Sequence, residues 1–335
     1  MRAAVYHAPG DVRIEELDRP HPGPGELVLE MRACGICGSD LLDWYIEPRA
    51  PVVLGHEPVG VVVEAGAGLD GPLAELGTRV FAHHHVPCGR CELCLRGRET
   101  LCDTFKKTRL HPGGFSEYIL VPASNAALDV LPLPEAVSDA AATAIEPLAC
   151  VVRGQRRAGV SSDTRLLVVG GGQMGLLNAQ AALAAGARAA VAEPLPERRA
   201  LARRLGARDV EPDAAAVLDA LEGRPTVALL CTGADPAWTL ALDAIDSGGI
   251  VQLFAPASPG AARSFDANDL FFRELEVQAS YSAGPGDTRA ALELIEAGAV
   301  QPEELITHRF ALEETAKALD AARRREAVKA IVTPT

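Results

Sequence analysis

The chain has 335 residues, about twice a common domain, which sets the expectation of two domains. Its 48% apolar and 23% charged residues are those of an ordinary globular protein, and a formal charge of -13 spread along the chain argues against nucleic acid or an anionic membrane as the main partner and leaves small molecules as the default. No apolar run approaches the roughly 18 residues of a membrane span, and MRAAVYHAPGDVRIEE has no signal-peptide core, so a cytoplasmic protein is expected, in which eight cysteines serve metals or catalysis rather than disulfides.

Residues 1–150 read as short β elements punctuated by Pro and Gly. ELVLEMRACGI alternates apolar and polar positions, PVGVVVEAG is a β-branched run, and TRVFAHHHV follows a turn and predicts another strand. RPHPGPGE and AGAGLDGPL are loops. From Val151 to residue 283 apolar strands alternate with alanine-rich helices: RLLVVGGGQMGLLNAQAALAAGA, AAVAEPLPERRALARRLGA, TVALLCTGADPAWTLALDAI and GIVQLFAP. That alternation predicts a doubly wound parallel sheet, making the protein α/β beside a mainly-β first domain. Over 284–335, GDTRAALELIEAG predicts a helix, ITHRF a strand, LEETAKALDAARRR a helix and AVKAIVTP a strand, expected to fold back onto the first domain.

VVGGGQMG places Gly170, Gly172 and Gly175 in the order G-x-G-x-x-G after a strand and before a helix. The glycines permit the tight turn, the approach of a pyrophosphate and close helix packing, and the helix N-terminus faces the phosphate. Glu193 closes the next strand, where a carboxylate accepts from an adenosine ribose and repels a 2′-phosphate; NAD is therefore expected over NADP. Arg198 and Arg199 nearby weigh the other way, and a plain surface glutamate is the alternative.

HHHVPCGRCELCLRGRETLC, residues 83–102, spaces Cys88, Cys91, Cys94 and Cys102 so that four thiolates can close a tetrahedron around a structural zinc. A redox pair or an iron–sulfur cluster is the alternative. Upstream, Cys34 and Cys37 in CGICGSD and His56 and Glu57 in GHEPVGVVVEAG offer a mixed shell that keeps a position open for a ligand. Taken singly, Cys37 reads equally as a small buried hydrophobe and His56 as a core histidine.

In order, GICGSD, GHEPVGVVVEAG, VPCGRCELCLRGRETLC, GGFSEYILVP, IEPLACV and VVGGGQMG resemble the zinc-containing medium-chain dehydrogenase/reductase family, in its sorbitol and threonine dehydrogenase-like branch. The resemblance spans essentially the whole chain. It implies a GroES-like catalytic domain, a Rossmann domain inserted before the final segment, two zinc ions per chain, and hydride transfer between NAD(P) and a secondary alcohol that is a polyol, a cyclitol or sugar-derived. It further implies a homodimer or homotetramer. Carried over by residue, Cys37 and His56 hold the catalytic zinc with Glu57 as a direct ligand or a close partner of the ligands and Glu146 reaching it directly or through water, Ser39 takes the alcohol proton, and Trp44 and Tyr45 line the pocket, a core aromatic pair being the alternative. His84 falls at a pocket-lining position with His83 and His85 on the opposite face; polar filler at a strand end is its alternative. The chain departs from the pattern at Leu42, where a relay histidine is common, and in ASYSAGPGD, which lacks a substrate arginine of sorbitol dehydrogenases. Lys106, Lys107 and Arg109 form a basic cluster, either a solvated loop or a site for a phosphate or carboxylate. The other readings are threonine-type oxidation of a 3-hydroxy acid, a non-catalytic zinc- and NAD-binding relative, and a thiol oxidoreductase using Cys34 and Cys37.

Overall fold

The computed structural model describes residues 1–334. The backbone divides into two compact units: Met1–Ala149 with Ala283–Ala297 and the residues from Gln301 onward, and Cys150–Ser282 with Gly298–Val300.

The first unit is built around the strand Leu27–Gly35. One of its edges pairs antiparallel with Glu57–Ala65, which pairs in turn with Arg79–Ala82 and then Val130–Pro132. The other edge is shared, Tyr118–Val121 taking residues 27–30 and Lys329–Thr333 taking residues 34–35. The C-terminal strand thus completes a sheet begun three hundred residues earlier. A central strand covered on both faces cannot show clean alternation: only Arg32 is exposed, while Leu27, Val28, Leu29 and Met31 are buried with Val62, Val80, Ile119 and Val121. Each such side chain contributes about 1.5–3 kcal/mol of apolar burial.

TRVFAHHHV departs from expectation. The strand stops at Ala82, and the three histidines lie beyond it. The register explains where: Val130, the last partner, pairs with Ala82, after which the His83 amide donates to the Asp129 carbonyl as the chain turns.

The second unit carries six parallel strands in the order Arg208–Val210, Arg188–Ala192, Arg165–Val169, Val227–Leu230, Ile250–Leu253, Glu276–Ala279. The sheet grows outward in both directions from its first strand, the doubly wound arrangement that opens a crevice at the strand carboxyl ends where the order reverses. Leu167, Val169, Ala190, Ala228, Leu230 and Trp238 form its core. Among the described residues no helix is long and apolar enough to cross a membrane.

Candidate active site and metal centres

Three adjacent strand ends assemble the first site. Cys37 follows Leu27–Gly35, His56 and Glu57 open the neighbouring strand, and His84 lies just past the next one; the pairs Gly35 with Glu57 and Val59 with Phe81 bring these ends to one edge of the sheet. One ligand atom each of Cys37, His56 and Glu57 lies within 4.8 Å of the others. Glu146, expected as a fourth donor, lies outside that set. It sits in the first turn of the helix Ile145–Arg157, 8% exposed, close enough to Glu57 to raise its pKa.

Asp40 and Lys329 fix the donors, and neither was expected. Asp40 is 4% exposed; one oxygen accepts the Cys37 amide at 2.9 Å and the other lies 3.4 Å from His56 Nδ1. This carboxylate directs one imidazole nitrogen to itself and leaves the other for a metal. Burial opposes protonation of His56, but Asp40 and the Cys37 sulfur outweigh it and hold its pKa well above the ordinary range. Lys329, 3% exposed, donates to the Ile36 carbonyl at 3.0 Å and to Glu57 Oε2. Gly35 leaves the space for this pair, since a Cβ there would stand 1.8 Å from Glu57 Oε2. Burial raises the Glu57 pKa and Glu146 adds to it, against Lys329 and His56.

Glu57 Oε1 is buried with no hydrogen-bond partner among the described residues. A buried unsatisfied carboxylate oxygen costs several kcal/mol unless a cation meets it. Beside a cysteine sulfur and an imidazole, it fits zinc. Cys34 does not join the set: it is fully buried, and burial followed by the charges of Glu57 and Asp40 pushes its thiol pKa far up, which disfavours a reactive Cys34–Cys37 pair.

Around these donors, Ser39 lies on the short turn Gly38–Leu41, half-buried, its hydroxyl without a protein partner among the described residues. The His84 ring centroid is 6.2 Å from that of His56 and 4.4 Å from that of His85. The expected opposition of His84 and His85 therefore fails, because the chain is no longer a strand there. His83 turns inward to Asp129 at 2.6 Å, whose second oxygen accepts from Thr288 at 2.6 Å. His85 Nδ1 pairs with the Thr108 carbonyl at 2.6 Å. Trp44 and Tyr45 make an edge-to-face pair but are 44% and 39% exposed, which overturns the core-pair alternative.

The four loop cysteines come together within 4.8 Å, with Cys88 to Cys94 at 3.9 Å and Cys91 to Cys94 at 3.5 Å. Zn–S bonds of about 2.3 Å in a tetrahedron require S–S edges of roughly 3.8 Å, so the set fits one zinc. A multi-iron cluster would spread the sulfurs further, and a disulfide would bring two of them to about 2 Å. The Cys91 and Cys88 amides point at the sulfurs of Cys88 and Cys102 at 3.3 and 3.5 Å. Burial opposes ionisation of Cys102, but backbone N–H groups, Cys88 first, outweigh it and lower the pKa to about 6.

In the second unit, Gly170 takes φ +107°, and a Cβ on Gly175 would fall 1.8 Å from the Gly170 carbonyl oxygen. Gly172 caps the helix Gln173–Ala184 with open space around it. Glu193, 5% exposed, accepts from the Gly171 amide at 2.6 Å and the Leu195 amide at 3.0 Å, so it braces the glycine turn. A plain surface glutamate is thereby set aside. Arg199 is committed to the Glu193 and Pro194 carbonyls and to Glu211.

The chain is similar to known proteins along its length. An alcohol dehydrogenase GroES-like domain model matches residues 23–135 and a zinc-binding dehydrogenase model matches residues 174–297. An L-threonine 3-dehydrogenase of Mesorhizobium japonicum is 31% identical over 339 residues, covering 96% of each chain, and a sorbitol dehydrogenase of Gallus gallus is 32% identical over 352 residues, covering 98% of this chain and 94% of its own. A zinc-binding dehydrogenase of Sinorhizobium meliloti, solved bound to NADP, superposes with a TM-score of 0.88 at 29% identity, covering 99% of both chains. The chain belongs to the zinc-dependent medium-chain dehydrogenase family. It is an NAD(P)-dependent alcohol dehydrogenase, a GroES-like unit joined to a Rossmann unit.

Proposed function

We propose that the chain oxidises a secondary alcohol of a polyol, cyclitol or sugar-derived substrate at Cys37, His56 and Glu57, and that it reduces NAD in preference to NADP. The observation that carries this reading is the buried, unpartnered Glu57 Oε1 beside a cysteine sulfur and an imidazole, its other oxygen held by Lys329. Zinc bound by Cys37, His56 and Glu57 supplies Lewis acidity toward the substrate hydroxyl, and the nicotinamide supplies the hydride acceptor. Asp40 orients the imidazole, and Glu146, whose charge Glu57 feels, is a further carboxylate for the same cation. Ser39, two residues past Cys37 and with no competing partner, takes the hydroxyl proton; Leu42 cannot pass it on, so the proton leaves by another path. Trp44 and Tyr45, exposed on the turn that follows, are candidates for substrate contact. His84 stays neutral, since burial, then His85, His56 and Arg109, hold its pKa well below the ordinary range, and a neutral imidazole beside His56 can accept from or donate to a substrate hydroxyl.

Gly170, Gly172 and Gly175 receive the pyrophosphate, with Glu193 toward the adenosine ribose. Its carboxylate, together with the commitment of Arg199 elsewhere, disfavours a 2′-phosphate. The four loop cysteines hold a second zinc, giving two per chain. The protein works in the cytoplasm as a homodimer or homotetramer: the edge strand Glu276–Ala279 is largely exposed on both faces and flanked by Phe271 and Phe272 at 73% and 78% exposure. A parallel sheet rarely leaves such an edge open, and a second copy would cover it.

Metal analysis should give two zinc per chain, and an NAD-reduction screen over polyols, cyclitols, sugar acids, sugar phosphates and 3-hydroxy amino acids should find a substrate whose turnover Cys37→Ala abolishes. More than a few per cent residual turnover in zinc-free Cys37→Ala would sink the scheme.

A further inference from the structure

Arg109 has no hydrogen-bond or ion-pair partner among the described residues, although it is half-buried and the chain carries a net charge of -13. Most arginines of this chain are occupied, as Arg2 is by Glu117, Arg79 by Asp139, Arg203 by Asp209 and Arg323 by Asp43. An unpaired guanidinium cannot shed its proton, so leaving it partly out of water is unfavourable unless an anion meets it.

Its position is fixed by the histidine segment. Thr108, the residue before it, accepts from His85 Nδ1 through its carbonyl and is bonded through its hydroxyl to the Val86 amide at 2.9 Å. His85 packs on His84, and His84 on His56 of the zinc donor set. Both His84 and His85 lie within electrostatic reach of Arg109. His84 Nδ1 is buried and without a partner among the described residues. The segment therefore presents, next to the alcohol site, an unsatisfied imidazole nitrogen and an unsatisfied fixed cation. Lys106 and Lys107 close the short helix Asp103–Lys107, are exposed, and have the character of solvated surface.

We propose that Arg109 is a specificity-determining residue and that the substrate carries an anionic group, a carboxylate or a phosphate, which the guanidinium grips while the hydroxyl is oxidised at Cys37, His56 and Glu57. This rests on the reading of that site as one for alcohols. Guanidinium is suited to both groups because its paired N–H bonds match two oxygens at once.

The test compares one carbon backbone with three end groups: erythritol, erythronate and erythritol 4-phosphate, with the xylitol series beside it. Affinity is measured by calorimetry on the zinc-loaded protein with NADH present, and kcat and KM separately with NAD. Wild type is expected to bind one anionic member about 10-fold or more tightly over the neutral one, and the favoured member tells carboxylate from phosphate. In Arg109→Gln that ratio should collapse to near 1, through KM rather than kcat, Arg109→Lys should keep part of it, and Lys106→Gln should leave it within about twofold. No preference in wild type, no binding of any member, or an unchanged ratio in Arg109→Gln overturns the proposal. Anion preference in affinity without turnover of any compound would support Arg109 and sink the alcohol-oxidation reading instead.

Discussion

Lys329→Met tests the internal logic of the site. The ammonium and Glu57 are 3% and 0% exposed, and Lys329 also satisfies the Ile36 carbonyl. Methionine keeps nearly the same length and volume, so little of the effect is a cavity. What it leaves is a buried carboxylate with neither oxygen paired, since Oε1 already lacks a partner. Removing one member of a buried ion pair costs about 3–5 kcal/mol, and at about 2–4 °C per kcal/mol for a unit of this size the zinc-free protein should melt roughly 6–20 °C lower. The cost should depend on pH in a fixed direction. Without Lys329 the folded-state pKa of Glu57 rises further above its unfolded value, so the folded state binds the extra proton; the deficit is small below about pH 4.3 and grows as pH rises toward the folded pKa. Zinc supplies a counter-charge from the other side, so the deficit should shrink in the metal-loaded protein. Glu57→Gln in the Lys329→Met background should recover most of the stability, because no buried charge remains. Calorimetry of chelated and zinc-loaded protein across pH reads all of this; a zinc-free loss below about 1 kcal/mol at neutral pH would refute the assignment of Lys329 as the partner that holds Glu57.

Other expectations follow from single contacts. Asp40→Asn removes the carboxylate that orients His56 and should lower zinc affinity at the donor set by about 10–100-fold, read by competition with a chromogenic chelator, with turnover restored by excess zinc. Cys102→Ser should release one zinc per chain and destabilise the first unit while the other zinc stays bound, read by metal analysis and thermal melting; loss of both ions would mean that the two centres are not separate. Gly175→Ala drives a Cβ to within 1.8 Å of the Gly170 carbonyl and should raise the Kd for NADH by more than about 10-fold, read by fluorescence titration; unchanged affinity would remove the glycine turn from the coenzyme site.

The parts of this protein legible from sequence are those whose physics is local. A glycine turn between a strand and a helix needs only the residues within it, and four cysteines in fifteen positions leave a metal few rivals. Cys37 and His56 stood in short motifs, and the sheet places their strand ends side by side. The Asp40 carboxylate was in the same motif as Cys37, yet its use is non-local, because nothing near it announces a histidine sixteen residues later. Lys329 was out of reach altogether. In AVKAIVTP a lysine between apolar residues reads as the solvent face of a strand. Only the register that sets Ile331 against Gly35 and Val332 against Cys34 turns it inward toward a glutamate 272 residues upstream. The strand Glu276–Ala279 was invisible for the opposite reason. As an open edge it buries almost nothing within its own unit, so EVQA carries no apolar run. Both failures have one cause: a periodic pattern records which side of an element is buried within the chain, and it is silent about a charge buried against another charge or an edge strand that buries almost nothing. At this site the silent positions carry the most chemistry, since the buried carboxylate of Glu57, proposed as a zinc ligand, is held in place by the lysine that no local pattern reveals.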